Sequence, residues 1–172
     1  MKKIVLFALL ACSLLPVSCL AAKQQRGLPV IGAVETLTLV GEKLQFAARI
    51  DTGAKTSSLS AVGIQPYERD GKRWLRFQVA DSSGKLVLLE RPLERIVKIK
   101  RHGALASERP VVKLDVAIGE IRQRCEFTLV DRSDYEYPAL VGRNFLNRRA
   151  VVDVSGEYMV HPLSQGEKKD AN

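Results

Sequence analysis

Short runs in which apolar and polar side chains alternate extend through most of this chain of 172 residues. In residues 44–50 the even-numbered positions are apolar, and the same holds for residues 112–118. A period of two places every second side chain on one face of a β-sheet, so each run is typical of a half-buried strand. The runs recur at roughly ten-residue spacing without a long helical period, which predicts an all-β barrel or sandwich.

Turn-forming residues separate the runs and mark where the predicted strands end. Asp70-Gly71 is a typical pair for a tight hairpin turn, and Gly119-Glu120 separates the two runs of the clearest predicted hairpin. Residues 103–110 are predicted to be a polar loop, and residues 142–147 a short turn of helix. The pattern predicts strands at residues 33–39, 44–50, 58–64, 74–80, 85–90, 96–101, 111–118, 121–130, 150–154 and 158–161.

The first 22 residues have the layout of a secretory signal peptide, with two lysines, an apolar run and small residues at its end. Cleavage there predicts a soluble exported protein, periplasmic in a bacterium. The alternative is a membrane-anchored lipoprotein, because Val17-Ser18-Cys19 partly resembles a bacterial lipidation signal at Cys19. We therefore divide the chain into a signal peptide (1–22), an N-terminal arm (23–31), one folded domain (32–162) and a disordered polar tail (163–172).

Cysteine content and charge restrict the class of protein further. Without the signal peptide, Cys125 has no second cysteine to pair with, and its place among alternating apolar residues predicts a small buried side chain. The net charge is +8, and residues 91–102 form the densest basic stretch. Because this stretch lacks interleaved aromatic residues, we interpret it as a solvated strand face and expect no nucleic-acid partner.

The strand predicted at residues 44–50 leads directly into Asp51, the first residue of an Asp-Thr-Gly triplet. A strand end holds such a carboxylate in a fixed place, while Gly53 permits close approach by another chain or a substrate. Thr52 and Thr56 supply hydroxyl groups that can hydrogen-bond to carboxylates and backbone. The alternative interpretation is an ordinary Asx-type turn, because Asp, Thr and Gly are all common turn formers.

A second motif, Tyr137-Pro138-Ala139-Leu140-Val141-Gly142-Arg143-Asn144, follows near the C-terminus. Together the two motifs resemble the retropepsin-like aspartic peptidases, in which an apolar strand leads into Asp-Thr-Gly-Ala and a later apolar pair precedes Gly, Arg and Asn at a short helix. The strings DTGAKTSSLSA and VGRNFLNRRAVVDV are similar to a bacterial subgroup labelled ATP-dependent zinc proteases and associated with RimK-type peptide ligases. The resemblance covers residues 32–160 and implies a retropepsin-like closed barrel with one short helix near the C-terminus.

The resemblance also implies roles for single residues. Asp51 would be the catalytic acid and base, and Thr52 would hydrogen-bond across a dimer. Gly53 would permit close packing, and Ala54 would lie along the substrate cleft. Retroviral relatives have an Asp two places after the Gly, where this chain has Lys55, so the contact of the helix arginine must differ. The remaining supporting residues implied by the motifs are Thr56, Leu140, Val141, Gly142, Arg143 and Asn144.

No cofactor is expected, in spite of the subgroup's label. Zinc sites need several converging His, Cys or carboxylate ligands, and the sequence has only His102 and His161, with no HExxH motif. Ser60 stands where relatives of the subgroup commonly have His, which removes another ligand. A P-loop lysine motif for ATP is also absent from the sequence. We therefore predict neither a metal nor another cofactor.

Aspartic peptidases use two carboxylates that share one proton, one to activate water and one to polarise the scissile carbonyl. Because the chain has a single Asp-Thr-Gly, the resemblance implies a homodimer that acts on a peptide or protein substrate. The hairpin at residues 69–72 and the loop at residues 101–109 are both candidates for the flap over the substrate. A basic cleft edge formed by Lys55, Lys98 and Lys100 would favour acidic peptides.

Two other functions stay open at this point. A non-catalytic peptide-binding or assembly module would keep the barrel without the chemistry of the paired acids. A metal-dependent hydrolase would instead use Asp51 together with histidines. Peptide cleavage by the wild-type protein and by an Asp51→Asn variant, with and without a chelator, distinguishes these functions from the aspartic peptidase.

Overall fold

The computed structural model describes residues 27–101 and 104–162. The predicted signal peptide, Cys19, residues 23–26 of the N-terminal arm and the predicted tail lie outside the described residues. None of the helical residues in the described ranges forms a segment that could cross a membrane. The described chain is nearly all β-structure, which confirms the predicted class. Its elements are β1 (Val30–Ile31), β2 (Val34–Leu39), β3 (Leu44–Ile50), β4 (Ser57–Ser60), β5 (Val62–Arg69), β6 (Lys72–Ala80), β7 (Leu86–Pro92), β8 (Arg95–Arg101), β9 (Ala104–Ile118), β10 (Ile121–Val130), β11 (Ala139–Val141), α1 (Arg143–Leu146) and β12 (Val151–Val152).

Six of these strands close into a barrel. Their order around the ring is β10, β4, β11, β3, β2 and β9, and pairing of β9 with β10 completes the closure. Strand β8 pairs with the outer part of β9 and lies outside the ring. Closure leaves no free sheet edge within the ring. The closed barrel and the short helix near the C-terminus were both predicted, and both are confirmed.

The β9–β10 hairpin provides a large part of the barrel core. Leu114 pairs with Cys125 and Val112 pairs with Phe127, and all four side chains are buried. Alternation at these positions therefore predicted the correct buried face. The polar loop predicted at residues 103–110 is wrong, because β9 begins at Ala104 and continues through this stretch. In the described part of this stretch, Glu108 is exposed and Ser107, Arg109 and Pro110 are half-buried, so the strand lacks the apolar alternation of a core strand. Pairing with β8 holds it in place.

A separate three-stranded sheet, in the order β5, β6 and β7, packs one face on the same core. The predicted Asp70-Gly71 turn joins β5 to β6, and both residues have positive φ, 52° and 68°. The single strand predicted at residues 58–64 is in fact divided between this sheet and the barrel. Ala61 still donates to the carbonyl of Val130, but Gly63 adopts a φ of +61° and turns the chain away from the barrel. The core side chains of this sheet include Leu75, Phe77, Val79 and Leu89.

The two ends of the described chain lie together, because β1 pairs with β12 in parallel. The strand predicted at residues 150–154 is shorter than expected, and the strand predicted at residues 158–161 is wrong. The backbone N–H groups of Met159 and Val160 donate to the buried carboxylate of Glu35, at 3.0 and 3.5 Å. Gly32 donates to the same carboxylate at 2.7 Å. A side chain therefore satisfies the backbone groups that a neighbouring strand would otherwise pair with.

Candidate active site

The two sequence motifs meet where β11 lies between β3 and β4. Strand β11 pairs in parallel with β3 and antiparallel with β4, so it separates the strands that flank the Asp-Thr-Gly loop. The backbone N–H of Asp51 donates to the carbonyl of Val141 at 2.9 Å. Val141 is buried, while Leu140 and Asp51 are half-buried. The second motif therefore crosses directly beside the loop that carries the acid.

The Asp51 carboxylate is oriented by the turn that follows it. Its Oδ1 accepts hydrogen bonds from the backbone N–H groups of Gly53 and Ala54, at 2.8 and 3.1 Å. This is the Asx-type geometry, so the turn interpretation and the site interpretation describe the same structure. Within the described ranges no hydrogen bond is formed to Oδ2. One oxygen is therefore fixed by backbone donors, and the other is available to water or to a second carboxyl group.

Arg143 holds the outside of the same loop. Its Nη1 donates to the backbone carbonyl oxygens of Thr52 and Gly53, at 2.9 and 2.5 Å. Its backbone N–H donates to the carbonyl oxygen of Ala54 at 2.8 Å. Lys55 stands where the resemblance leads one to expect an aspartate that pairs with the helix arginine. Arg143 instead binds main-chain carbonyl groups, so it needs no carboxylate at position 55. The side chain of Lys55 is exposed and takes no part in this clamp.

Asn144 and Gly142 join β11 and α1 to the start of β4. Asn144 Oδ1 accepts from both the backbone N–H and the hydroxyl of Ser57, and its Nδ2 donates to the carbonyl of Glu126 at 2.7 Å. The Gly142 N–H donates to Ser57 Oγ at 3.0 Å. A Cβ atom added to Gly142 would lie 2.9 Å from the Ala54 carbonyl oxygen, so only glycine allows this approach.

The structure therefore brings together all the residues that the sequence selected for the site. Thr52 is exposed, and Ala54 and Thr56 are half-buried. These positions are held by hydrogen bonds among main-chain groups and the side chains of Asp51, Arg143 and Asn144, and by the close contact of Gly142. Rigid support is what a group that must transfer a proton at a fixed distance requires.

Arg132 is a supporting residue that sequence analysis missed. It is buried, its Nη1 donates to Ser58 Oγ at 3.0 Å, and its Nε donates to the Tyr137 carbonyl at 3.0 Å. Burial lowers the pKa of its guanidinium, and the ring of Tyr135 lies 4.4 Å from its charged carbon. An isolated arginine after a strand carries no pattern that indicates burial, so no sequence signal distinguishes it. Arg132 ties the strand after the Asp51 loop to the segment before β11.

A cleft opens on the outer side of the loop and encloses about 780 Å³. We call it the basic cleft, because Lys55, Arg143 and Arg148 line it and no acidic side chain of the described chain does. Leu146, Ala150 and Val152 supply an apolar surface. The complete lining is Thr52, Lys55, Arg143, Asn144, Leu146, Asn147, Arg148, Ala150 and Val152.

Other predicted features lie away from this loop. Lys98 pairs with Glu108 at 3.2 Å on the β8–β9 hairpin, while the side chain of Lys100 lies outside the described ones. The two flap candidates belong to different sheets, because residues 69–72 join β5 to β6 and residues 101–109 lie between β8 and the outer part of β9. Burial, reinforced by the charges of Asp115 and Glu126, raises the pKa of Cys125 to about 12, so its thiol stays protonated at neutral pH. In the described part of the chain, no three His, Cys, Asp or Glu side chains converge as metal ligands would.

The family follows from comparison with known proteins. Residues 30–162 match the model of a family described as RimB-like, retropepsin-like aspartic endopeptidase RimB. The chain belongs to the RimB-like family. A Legionella pneumophila protein of unknown function has a similar solved structure, with 32% identity and a TM-score of 0.66. That match covers 76% of this RimB-like chain and 97% of the Legionella chain. The predicted resemblance is confirmed.

Longer relatives carry a different name. A protein of Parasynechococcus marenigrum named "Probable alpha-L-glutamate ligase" is 30% identical over 142 residues, which is 80% of this chain and 30% of the relative. A protein of Shewanella pealeana with the same name is 30% identical over 126 residues, or 72% of this chain and 26% of the relative. The RimB-like chain thus spans less than a third of the length of these curated relatives.

Proposed function

We propose that this RimB-like protein is an aspartic-type endopeptidase in which two copies of the chain each contribute Asp51. The observation that carries the proposal is the geometry of Asp51, whose Oδ1 is held by two backbone N–H groups while Oδ2 has no partner in the described ranges. The clamp of Arg143 on the loop supports it. Membership of a retropepsin-like endopeptidase family supports the same chemistry.

In the proposed reaction the ionised Asp51 accepts a proton from a water molecule as that water attacks the scissile carbonyl carbon. The protonated carboxyl of the second copy donates a hydrogen bond to the carbonyl oxygen, which gains negative charge. The tetrahedral intermediate collapses with cleavage of the C–N bond, and the amine leaves with the proton taken from water. One carboxyl group cannot supply both functions at once, so the homodimer is part of the mechanism.

We propose acidic peptides, including glutamate-rich ones, as the substrate class. Lys55 is exposed next to the loop, and Arg143 and Arg148 line the adjoining basic cleft. Relatives that contain a matching region are named "Probable alpha-L-glutamate ligase", a name consistent with glutamate-containing peptides. Export to the periplasm, with a lipid anchor at Cys19 as the alternative, stays a proposal supported by the composition of residues 1–22.

Cleavage of a peptide library by the wild-type protein and by Asp51→Asn tests the mechanism. We expect the variant to lose at least about 100-fold in cleavage rate, since a group that transfers a proton contributes about 10²–10⁴-fold. Asp81→Asn is a matched control, because Asp81 also accepts from the backbone N–H two residues later, at 2.8 Å, on a remote turn. Equal cleavage by wild type and Asp51→Asn would reject the aspartic mechanism. Wild-type protein that binds peptides at acidic to neutral pH without cleaving them would favour the non-catalytic module.

The substrate class has its own test. Lys55→Ala is expected to reduce cleavage of glutamate-rich peptides relative to neutral ones, because it removes a cation beside the loop. Lys85→Ala, at an exposed turn of the three-stranded sheet, serves as the control. An unchanged preference in Lys55→Ala would remove the support that this residue lends to acidic substrates.

A further inference from the structure

One face of the barrel sheet points away from the hydrophobic core. Leu140 of β11 pairs with Arg49 of β3 on one side and with Ser58 of β4 on the other, so these three side chains project from the same face. Ala139 and Val141, which flank Leu140 in β11, belong to the core and therefore project from the opposite face. We call the face of Arg49, Leu140 and Ser58 the outer face.

The outer face continues across β10 onto β9. Thr128 of β10 pairs with Ser58 on one side and with Val111 of β9 on the other. Side chains alternate along a strand, and the pairing of β9 with β8 is regular through this stretch. Arg109 and Ser107, two and four residues before Val111, therefore project from the outer face as well.

Two polar atoms at this end of β9 have no hydrogen-bond partner. The Nε of Arg109 and the Oγ of Ser107 are both buried, and neither forms a hydrogen bond with any residue in the described ranges. A buried polar atom that is left unpaired costs free energy, and native proteins therefore keep few of them. Two such atoms on one face of one strand indicate a place where another polar group binds.

The guanidinium of Arg132 brings a second positive charge to the same place. Its side chain is buried, and its Nη1 donates to Ser58 Oγ at 3.0 Å. Burial lowers the pKa of Arg132 and the charge of Arg109 lowers it further, so the two cations are neighbours. Within residues 27–101 and 104–162 neither arginine forms an ion pair. The nearby carboxylate of Asp131 is exposed and accepts from the backbone N–H of Ser133.

The arginine pair lies within reach of a peptide bound at Asp51. The backbone N–H of Asp51 donates to Val141, and Leu140, the preceding residue of β11, pairs with Ser58. One strand therefore separates Ser58 from the end of β3, a distance of about 10 Å for two strand spacings. An extended peptide covers this distance in about three residues.

We propose that Arg109 and Arg132 form a subsite that binds a carboxylate group of the peptide substrate, about three residues from the cleaved bond. The guanidinium groups and the Ser107 hydroxyl donate to the carboxylate oxygens, and the planar guanidinium matches the geometry of a carboxylate. This subsite rests on the proposed function and adds to it a half-buried recognition site distinct from exposed Lys55. The carboxylate belongs either to an acidic side chain or to the C-terminus of the peptide.

Fluorescence anisotropy with labelled peptides tests the subsite in the full chain carrying Asp51→Asn, which leaves the peptides intact. Three peptides of equal length are compared at one fixed salt concentration, because salt screens charge. One contains glutamate and has an amidated C-terminus, one contains glutamine and is amidated, and one contains glutamine with a free C-terminal carboxylate. The measured quantity is the preference for each acidic peptide over the neutral one, as a ratio of dissociation constants.

Arg109→Gln and Arg132→Gln should each reduce this preference about tenfold or more, because each removes a charged hydrogen-bond donor. Arg109→Lys keeps the charge and should retain part of the preference. Arg122→Gln, at an exposed position near the start of β10, is the matched control and should behave like the parent protein. Thermal unfolding verifies that the variants are folded, and Arg109→Gln alone decides the outcome if Arg132→Gln unfolds.

The outcomes separate the subsite from the proposed function. A loss of preference confined to the glutamate peptide supports a subsite for acidic side chains, and one confined to the free C-terminus supports a subsite for the terminal carboxylate. An unchanged preference in Arg109→Gln, or a parent protein without any preference, would overturn the subsite while leaving Asp51-dependent cleavage unaffected. Arginine-dependent binding by a protein that shows no Asp51-dependent cleavage would support the subsite and overturn the proposed function.

Discussion

Asn144 accepts two hydrogen bonds from Ser57, one from the backbone N–H at 2.9 Å and one from the hydroxyl at 2.8 Å. These residues belong to the two different motifs and are separated by 87 positions in the sequence. The same amide also donates to the Glu126 carbonyl on β10. One side chain therefore joins the start of β4, the helix after β11 and the neighbouring barrel strand.

Asn144→Ala should destabilise the fold by about 2–3 kcal/mol, because it leaves partly buried donors and an acceptor without partners. Urea denaturation provides the measurement. Asn147→Ala, at an exposed position three residues later, should change the unfolding free energy by no more than about 0.5 kcal/mol. Equal effects of the two substitutions would show that the hydrogen bonds of Asn144 contribute nothing specific.

Gly142→Ala should cost about 1–3 kcal/mol of unfolding free energy, because the new methyl group would contact backbone atoms that cannot move aside. The closest of these is the Ala54 carbonyl oxygen, 2.9 Å from the added Cβ. The displacement would shift the Asp51 loop, so peptide cleavage should fall as well. Gly41→Ala is the control, since its added Cβ meets nothing within 4 Å. A Gly142→Ala protein as stable as Gly41→Ala would contradict the close approach.

Cys125 should be unreactive in the folded protein, because burial raises its pKa to about 12 and shields the thiol. At pH 8 a thiol reagent should label native wild type and native Cys125→Ala to the same extent. After denaturation the wild type should show one additional reactive thiol. Rapid labelling that is specific to the native wild type would mean that the thiol is accessible, contrary to its position in the core.

The Arg95–Glu126 pair should make stability depend on pH in the acidic range. A hydrogen bond from Arg95, with the charges of Arg95 and Lys113, lowers the pKa of Glu126 in spite of a desolvation effect that raises it. Because the pKa of Glu126 is lower in the folded state, its carboxylate stabilises the fold at pH values above the pKa of the unfolded state, about 4.3. That contribution disappears as the pH falls through the lower, folded pKa.

Glu126→Gln should therefore lose about 0.2–1 kcal/mol at pH 7, the range for partly exposed ion pairs. The difference from wild type should shrink below about pH 4.3 and vanish once Glu126 is protonated in the folded state. Denaturation at pH 7 and at progressively lower pH measures it, with Glu120→Gln at an exposed turn as the control. A difference that stays constant as Glu126 becomes protonated would attribute the effect to shape instead of charge.

The parts of the fold that sequence predicts well are those with one face in the core. The β9–β10 hairpin alternates cleanly because Leu114 and Cys125 must be buried while their neighbours face away. Residues 104–110 extend beyond the ring and pair with β8, and residues 107–110 of this stretch are polar or proline, so their strand left no apolar alternation. The burial of Glu35 could not be predicted from the sequence, because a carboxylate in a strand is expected to face solvent. Here the carboxylate accepts hydrogen bonds from backbone N–H groups inside the protein.

In the candidate site, too, some features could be predicted from the sequence and others could not. Resemblance to a family with two motifs selected both Asp51 and Val141 for the site, and the backbone bond between them agrees with this. The contact of Arg143 could not be predicted, because a main-chain carbonyl acceptor has no residue identity in the sequence. Arg132 was missed because its partners, Ser58 and the Tyr137 carbonyl, come together only after the barrel closes.

The position of β11 between β3 and β4 has a consequence for how the chain is made. The two strands that flank the Asp51 loop do not pair with each other, and the strand that joins them begins only at Ala139. Synthesis proceeds from the N-terminus, and contacts between distant segments form late in folding. The loop and its own strands therefore leave the ribosome well before their neighbour exists. In a growing chain the Asp51 loop lacks these contacts, and its surroundings are completed only after β11 and α1 have been synthesised.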